Sequence, residues 1–310
     1  MSKPSPKAIL DEIRALYAKD KSMTRIIDVS AAGPKSYTEK DGLPLPPVSP
    51  LQQLTGLPCV PFNKVIQVAG EPDTGKSTMV AEVMALAQKA GWYVILWDAE
   101  DKFDLMRFAH EFGGVPEQLN FIRTNEIRKG GQLVKDYVAT IKSHYPTAKI
   151  LVVWDSVGAS ISRSETERNL ADDRHAQPGQ DAKENGSVIR HMVGLFNSFP
   201  DALAVLLVNQ TYAKIGFMQH GNKAKGGSGI EFHSSLIVWL RRIKICTKVE
   251  QGRKLKTGII TRATVAKNHL TQGRTSVYQM DFSITAAGFQ KLGKEGADFG
   301  DEGDEDEAGE

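Results

Sequence analysis

The chain is poor in cysteine, with Cys59 and Cys246 its only two in 310 residues. Neither has a second Cys or a His at metal-ligand spacing, which excludes a disulfide framework and a four-thiolate zinc site. Both are expected to be reduced core or surface thiols. Long apolar runs are also missing. The longest, residues 202–208, is seven residues, whereas a membrane-spanning helix takes about 20. No apolar segment follows residues 1–7 that would serve as a signal peptide, so a cytoplasmic protein is expected. Net charge of either sign is nearly absent, at +2. That near-balance hides an asymmetry. Residues 295–310 hold nine acids and no base, which leaves the first 294 residues at +11. A basic body with an acidic tail suits a protein that binds a polyanion; a solubilising disordered terminus is the plain alternative.

What is present is ordinary for a globular protein: 41% hydrophobic and 25% charged residues. Residues 7–20 place Ile9, Ile13, Leu16 and Tyr17 at helical spacing, within an N-terminal segment 1–30. Residues 31–63 are rich in Pro, Gly and Ser and read as an irregular linker. From 64 onward apolar strands (64–69, 92–97, 119–123, 150–154, 202–208) alternate with helical stretches such as 77–90 and 132–143. That alternation predicts a mostly parallel sheet covered by helices. Stretches 236–245, 259–267 and 276–284 predict three further strands, antiparallel and joined by hairpins. The expected fold class is α/β, with a core over 64–290 and an acidic tail over 291–310.

The most specific motif is Gly70-Glu71-Pro72-Asp73-Thr74-Gly75-Lys76-Ser77, followed by Thr78. It matches G-x-x-x-x-G-K-[ST] between a predicted strand and a predicted helix. The glycines let backbone N–H groups turn toward phosphate oxygens. Lys76 supplies a point charge, and Ser77 offers a hydroxyl to Mg²⁺. Strand 150–154 runs into Asp155, the expected second Mg²⁺ ligand. Strand 92–97 runs into Asp98 and Glu100, and one of these carboxylates would polarise the attacking water. Parallel strands deliver their C-terminal ends to one crevice, so all three features should meet there.

Gly70–Ser77, Asp98-Ala99-Glu100, Asp155-Ser156-Val157 and Val208-Asn209-Gln210 stand in an order that resembles the RecA family of strand-exchange recombinases. Lys214-Ile215-Gly216-Phe217-Met218, followed by Gly226-Gly227, resembles the family's second DNA-binding loop. Leu240-Arg241-Arg242-Ile243 and Ala266-Lys267-Asn268-His269 continue the likeness, which covers about residues 60–285. Ser164-Glu165-Thr166-Glu167 and the acidic tail are similar to phage recombinases of the UvsX type; a phage origin would make the compartment the host cytoplasm.

The resemblance implies a RecA-type P-loop ATPase core with ATP and Mg²⁺ as cofactors. It also implies helical filaments on single-stranded DNA, pairing with duplex and strand exchange. Lys76, Glu100 and Gln210 would be catalytic, with Glu100 activating water and Gln210 sensing the γ-phosphate. Asp104 would contact adenine, and Arg107 stands where bacterial members have a stacking tyrosine. Lys267 and His269 would reach a neighbouring subunit's nucleotide. Glu231 occupies a position that is lysine in bacterial relatives. The acidic tail would meet a single-strand-binding protein or loader. A hexameric helicase motor and a regulatory ATP switch acting on a protein partner are the rival readings.

Residues 211–229 combine five glycines, the cations Lys214, Lys223 and Lys225, and no acid, which suits single-stranded nucleic acid. Ile215 resembles the family's wedge between base triplets, and Gly226, Gly227 and Ser228 would offer amides to phosphate. Residues 160–187 resemble the first DNA loop by position, with Arg168 and Arg174 as candidate contacts. Their charge is balanced and equally fits a solvated helix pair.

The tethered tail competes with DNA for basic surface at high effective concentration. Truncation after Lys294 should therefore tighten duplex binding at low salt, and the gain should fade as salt screens it within about 8 Å. Equal affinities of full-length and truncated protein at low salt would leave only the solubilising reading.

Overall fold

The computed structural model describes residues 36–166, 179–213, 222–225, 227–271 and 278–292. The expected N-terminal helix, and the expected acidic tail from residue 293 on, lie outside the described residues. The described part of the expected linker is not irregular. Strand β1 (Gly42–Pro44) pairs antiparallel with β2 (Cys59–Pro61), and helix α1 (Pro50–Thr55) lies between them. Here Pro and Gly punctuate structure. Pro50 opens α1, where a missing N–H costs nothing, and Gly56 closes it at φ 70°. Leu43, Leu51, Leu54, Leu57 and Val60 are buried in the main core.

Beyond this entry the chain alternates strand and helix. In order come β3 (Val65–Gly70), α2 (Lys76–Lys89), β4 (Tyr93–Asp98), α3 (Leu105–Phe112), β5 (Leu119–Arg123), α4 (Ile127–His144) and β6 (Ile150–Asp155). Then follow the short α5 (Arg163–Thr166), α6 (Gln180–Ser198), β7 (Leu203–Ala213), β8 (Asn222–Ala224) and α7 (Ser228–His233). The last strands are β9 (Leu236–Glu250), β10 (Arg253–Asn268), β11 (Gln279–Thr285) and β12 (Gly288–Lys291). One sheet runs β12-β11-β10-β9-β3-β7-β6-β4-β5, with β8 paired to β7. Strands β9, β3, β7, β6, β4 and β5 are mutually parallel, while β9 to β12 are antiparallel. The α/β class and the antiparallel extension are as the sequence led us to expect. Among the described residues no helix is long and apolar enough to cross a membrane.

Period-two alternation divides the core between the two faces of the sheet. Val94, Leu96, Leu151 and Val153 join α2 and the β1–α1–β2 entry on one face. Ile95, Trp97, Val152 and Trp154 join α4 and α6 on the other. Trp97 and Trp154 stack at 4.2 Å between ring centroids. Each indole N–H is satisfied, Trp97 Nε1 donating to Thr124 O at 2.7 Å and Trp154 Nε1 to Ser160 Oγ at 2.9 Å. Gly130 lets α4 lie directly on this pair, since a Cβ there would stand 2.0 Å from the Trp97 ring.

The extension differs from expectation in length. Strands β9 and β10 run past the predicted 245 and 259 into an exposed ribbon, turned by Gln251 and Gly252 at φ 50° and 73°. Exposed lysines such as Lys248 and Lys254 interrupt the apolar pattern there, because the ribbon buries neither face. Strand β12 was not expected from the sequence. It docks on α2 through Phe289 N–H, which donates to Glu82 Oε1 at 2.8 Å.

Burial raises the Glu82 carboxyl to about 7, against the lowering effect of the Phe289 hydrogen bond. A raised folded-state value favours the neutral acid. Its stabilising contribution is complete below the ordinary value of about 4.5 and is lost as pH rises through 7. Glu82→Gln, neutral throughout, should therefore gain stability over the parent, on the order of 3 kcal/mol at pH 8 and little at pH 4. Urea midpoints at both pH values check this; an equal shift at the two would reject it.

Candidate nucleotide site

The parallel strands bring Gly70, Asp98 and Asp155 to one edge of the sheet, with Asp98 directly opposite Asp155 and Gly70 opposite Gln210. The glycine-rich segment turns between β3 and α2. Gly75 holds φ 91°, and a Cβ on it would stand 2.2 Å from Ile284 Cδ1. At Gly70 a Cβ would meet Leu240 O at 2.3 Å. Only glycine fits at these two positions. Thr74 Oγ1 donates to Glu71 O at 2.9 Å, and Lys76 Nζ donates to the same carbonyl at 2.6 Å. From β10, Thr261 Oγ1 donates to Thr74 O at 3.1 Å, so the antiparallel extension braces the loop.

Ser77 Oγ donates to Asp155 Oδ2 at 3.1 Å, joining the start of α2 to the end of β6. Burial lifts Asp155 to about 6; the Ser77 bond and Lys76 oppose that rise, while Glu100 and Asp98 add to it. Lys76 is lowered by burial, with Asp155, Glu100, Asp73 and Glu71 pulling it back up. This crowding of carboxylates around one lysine suits a divalent cation. Ser77 and Asp155 offer oxygen donors of the kind Mg²⁺ takes. No cluster of three or more His, Cys, Asp or Glu among the described residues is arranged as a metal cage, so Mg²⁺ held here would share its coordination shell with phosphate and water.

Glu100 lies beside this pair. Its Oε1 accepts Ser156 Oγ at 2.5 Å and Gln210 Nε2 at 2.8 Å, and its Oε2 accepts Lys102 Nζ at 3.3 Å. Burial alone would raise it, but these three hydrogen bonds and the Lys102 charge outweigh burial and hold it below the usual carboxylate range. A carboxylate kept ionised next to the phosphate loop can accept a hydrogen bond from water and orient it. Gln210 in turn accepts Lys225 Nζ on its Oε1 at 2.9 Å.

A cleft of about 500 Å³ opens beside Lys76, walled by Arg107 on one side and by Gly258, Ile284, Thr285 and Ala286 on the other. Asp104 caps α3, its Oδ1 accepting Arg107 N–H at 2.9 Å. Arg107 Nε bonds Glu111 one turn along, and the guanidinium lies 5.5 Å from the Phe112 ring. Arg107 and Asp104 both line a second cleft beside the loop, together with Phe103, Asp155 and Gln210.

Lys267 and His269 line neither cleft. Lys267 Nζ donates to Glu231 O at 2.8 Å and Phe232 O at 3.2 Å at the end of α7, and His269 N–H donates to Ser235 O at 2.9 Å. Arg168, Arg174, Lys214, Ile215 and Gly226 lie outside the described residues. Lys223 is opposite Tyr212 in the β7–β8 pair. Gly227 at φ 86° precedes Ser228, the exposed first residue of α7.

Three contributors escaped the sequence reading. Ser156 was legible only as the neighbour of Asp155. Thr261 and the Gly258–Ile284 wall come from the antiparallel extension, about 180 residues after the motif, and carry no local signature.

Residues 46–285 match the family model described as the RecA N-terminal domain. Protein RecA of Ureaplasma parvum is 28% identical over 222 residues, covering 71% of this chain and 61% of that protein. Protein RecA of Roseiflexus sp. is 29% identical over 214 residues, 69% of this chain and 56% of its own length. Protein RecA of Sulfurimonas denitrificans is 28% identical over 236 residues, 74% and 64% respectively. The chain thus spans about three-fifths of the length of the curated relatives it matches. With a family match over most of its length, carrying both the phosphate loop and the carboxylates that face it, the chain belongs to the RecA family.

Proposed function

We propose that this protein is a cytoplasmic DNA-dependent ATPase that polymerises on single-stranded DNA and exchanges strands. The observation that carries the reading is one hydrogen-bonded path. It starts at Ser156 and Glu100 beside the phosphate loop, passes through Gln210, and ends at Lys225 in the glycine- and lysine-rich segment after β7. Such a path gives nucleotide chemistry and a polyanion-binding segment a shared element, which coupling between them requires.

The roles follow from position. The loop amides and Lys76 would hold the polyphosphate, and Ser77 with Asp155 would hold Mg²⁺, which when bound would supply positive charge against the phosphates. Glu100 orients water and receives its proton. Asp104 and Arg107 border the base. Lys267 and His269, turned away from this protomer's cleft, face a neighbouring protomer's nucleotide in a filament. The basic segment, with Lys214, Ile215, Lys223, Gly226, Gly227 and Ser228, grips single strands. Arg168 and Arg174 add contacts from the first loop, and the acidic tail meets a loader or single-strand-binding protein.

Lys76→Ala should abolish measurable ATP binding, whereas Glu100→Gln should keep binding and slow hydrolysis by about a hundredfold or more. Parental hydrolysis by Glu100→Gln would remove Glu100 from its role. Electron microscopy with single-stranded DNA and a non-hydrolysable ATP analogue should show filaments; closed rings would favour a helicase motor.

Lys214→Ala combined with Lys223→Ala should weaken single-strand binding and make the slope of log K against log salt shallower by about 1.4, two phosphate contacts' worth. A slope equal to the parent's would mean that these lysines touch no phosphate.

A further inference from the structure

We infer that Lys225 is a positioning residue for the nucleotide site: reaching back from the segment after β7, it fixes which end of the Gln210 amide faces Glu100. The inference deepens the proposed ATPase reading and rests on Glu100 being its base.

The backbone of Lys225 is clamped to β7 at two points. Its N–H donates to Gln210 O at 2.8 Å, and its carbonyl accepts Asn209 Nδ2 at 2.6 Å. The side chain then passes over Gly158. A Cβ on that glycine would stand 3.1 Å from Lys225 Cδ and 3.2 Å from Lys225 Cβ. Gly158, in the turn after β6, leaves the lane along which the ammonium reaches Gln210 Oε1 at 2.9 Å. An exposed lysine in a polyanion-binding segment thus points its charge inward.

The chemistry of the two groups makes this contact directional. An ammonium only donates, and a glutamine amide accepts at one end and donates at the other. With Lys225 on Oε1, the NH₂ end must face Glu100, and it does, at 2.8 Å. Ser156 Oγ already donates to that same carboxylate oxygen. Glu100 Oε1 therefore carries two donors, which leaves it a poor acceptor for a water proton. Lys225 holds this resting arrangement in place. A nucleic-acid phosphate that draws the ammonium outward frees the amide to turn away, and Glu100 Oε1 regains an open lone pair.

Steady-state ATP hydrolysis by the full chain, without nucleic acid, tests this. Lys225→Met should raise kcat about fivefold, the factor one net hydrogen bond carries, with KM for ATP unchanged. Lys225→Arg, which still donates, should restore the parental rate. In a Gln210→Ala background Lys225→Met should add nothing, because the two changes act on one contact. Stimulation by oligo-dT should shrink in Lys225→Met by the factor its basal rate gained. A parental basal kcat in Lys225→Met, or the same rise in the Gln210→Ala background, overturns the inference. Glu100→Gln, assayed alongside, separates the layers. If it hydrolyses ATP normally, the base assignment beneath has failed; if it is inactive while Lys225→Met equals the parent, only the positioning role has.

Discussion

The hydrogen bond from Ser77 to Asp155 is the contact on which the rest of the site depends. It ties the first turn of α2 to the last residue of β6, and so joins the phosphate loop to the strand that pairs with β4, whose end carries Asp98. Asp155 reaches that position because Trp154, one residue earlier, is locked by its stack on Trp97 and its bond to Ser160. Two parallel strands in fixed register then set Asp98 opposite Asp155. A slip of one residue in β6 would send Asp155 to the other face of the sheet and Trp154 into the crevice.

The antiparallel extension is part of the nucleotide site. Thr261 holds the Thr74 carbonyl, and Ile284 fills the space a side chain on Gly75 would need. Phe289 N–H donates to Glu82 further along the same helix. The loop is thus held from β6 on one flank and from β10 to β12 on the other. This explains why the family match continues to residue 285, well past the last parallel strand.

Some of this was legible in the sequence and some was not, for physical reasons. The Gly70–Ser77 motif and the acidic strand ends were readable because phosphate and metal chemistry demand particular residues at fixed local spacing. The parallel strands were readable because burial on both faces leaves continuous apolar runs. Residues 42–61 were misread because their apolar residues sit singly between prolines and glycines, with no period long enough to register. The far half of the β9–β10 ribbon was invisible because an unburied hairpin has no reason to alternate. The inward course of Lys225 depends on space over Gly158 and on two backbone bonds to β7, and a lysine in a glycine-rich segment reads the same whichever way it points.

The electrostatics of the crevice favour a cation entering together with an anionic ligand. Lys76 is one positive charge among Glu71, Asp73, Glu100 and Asp155, and burial weakens its hold on its proton while lifting Asp155 to about 6. A polyphosphate alone would add negative charge to a site already rich in carboxylates, with Lys76 as its main counterweight. A divalent ion held by Asp155 and Ser77 would reverse that balance. It would favour the ionised form of Asp155, and the phosphates would favour the charged form of Lys76, each against the effect of burial. Cation and polyphosphate each remove a penalty that the other would incur alone, so their binding should be mutually reinforcing, with the Ser77–Asp155 pair as the point where they meet.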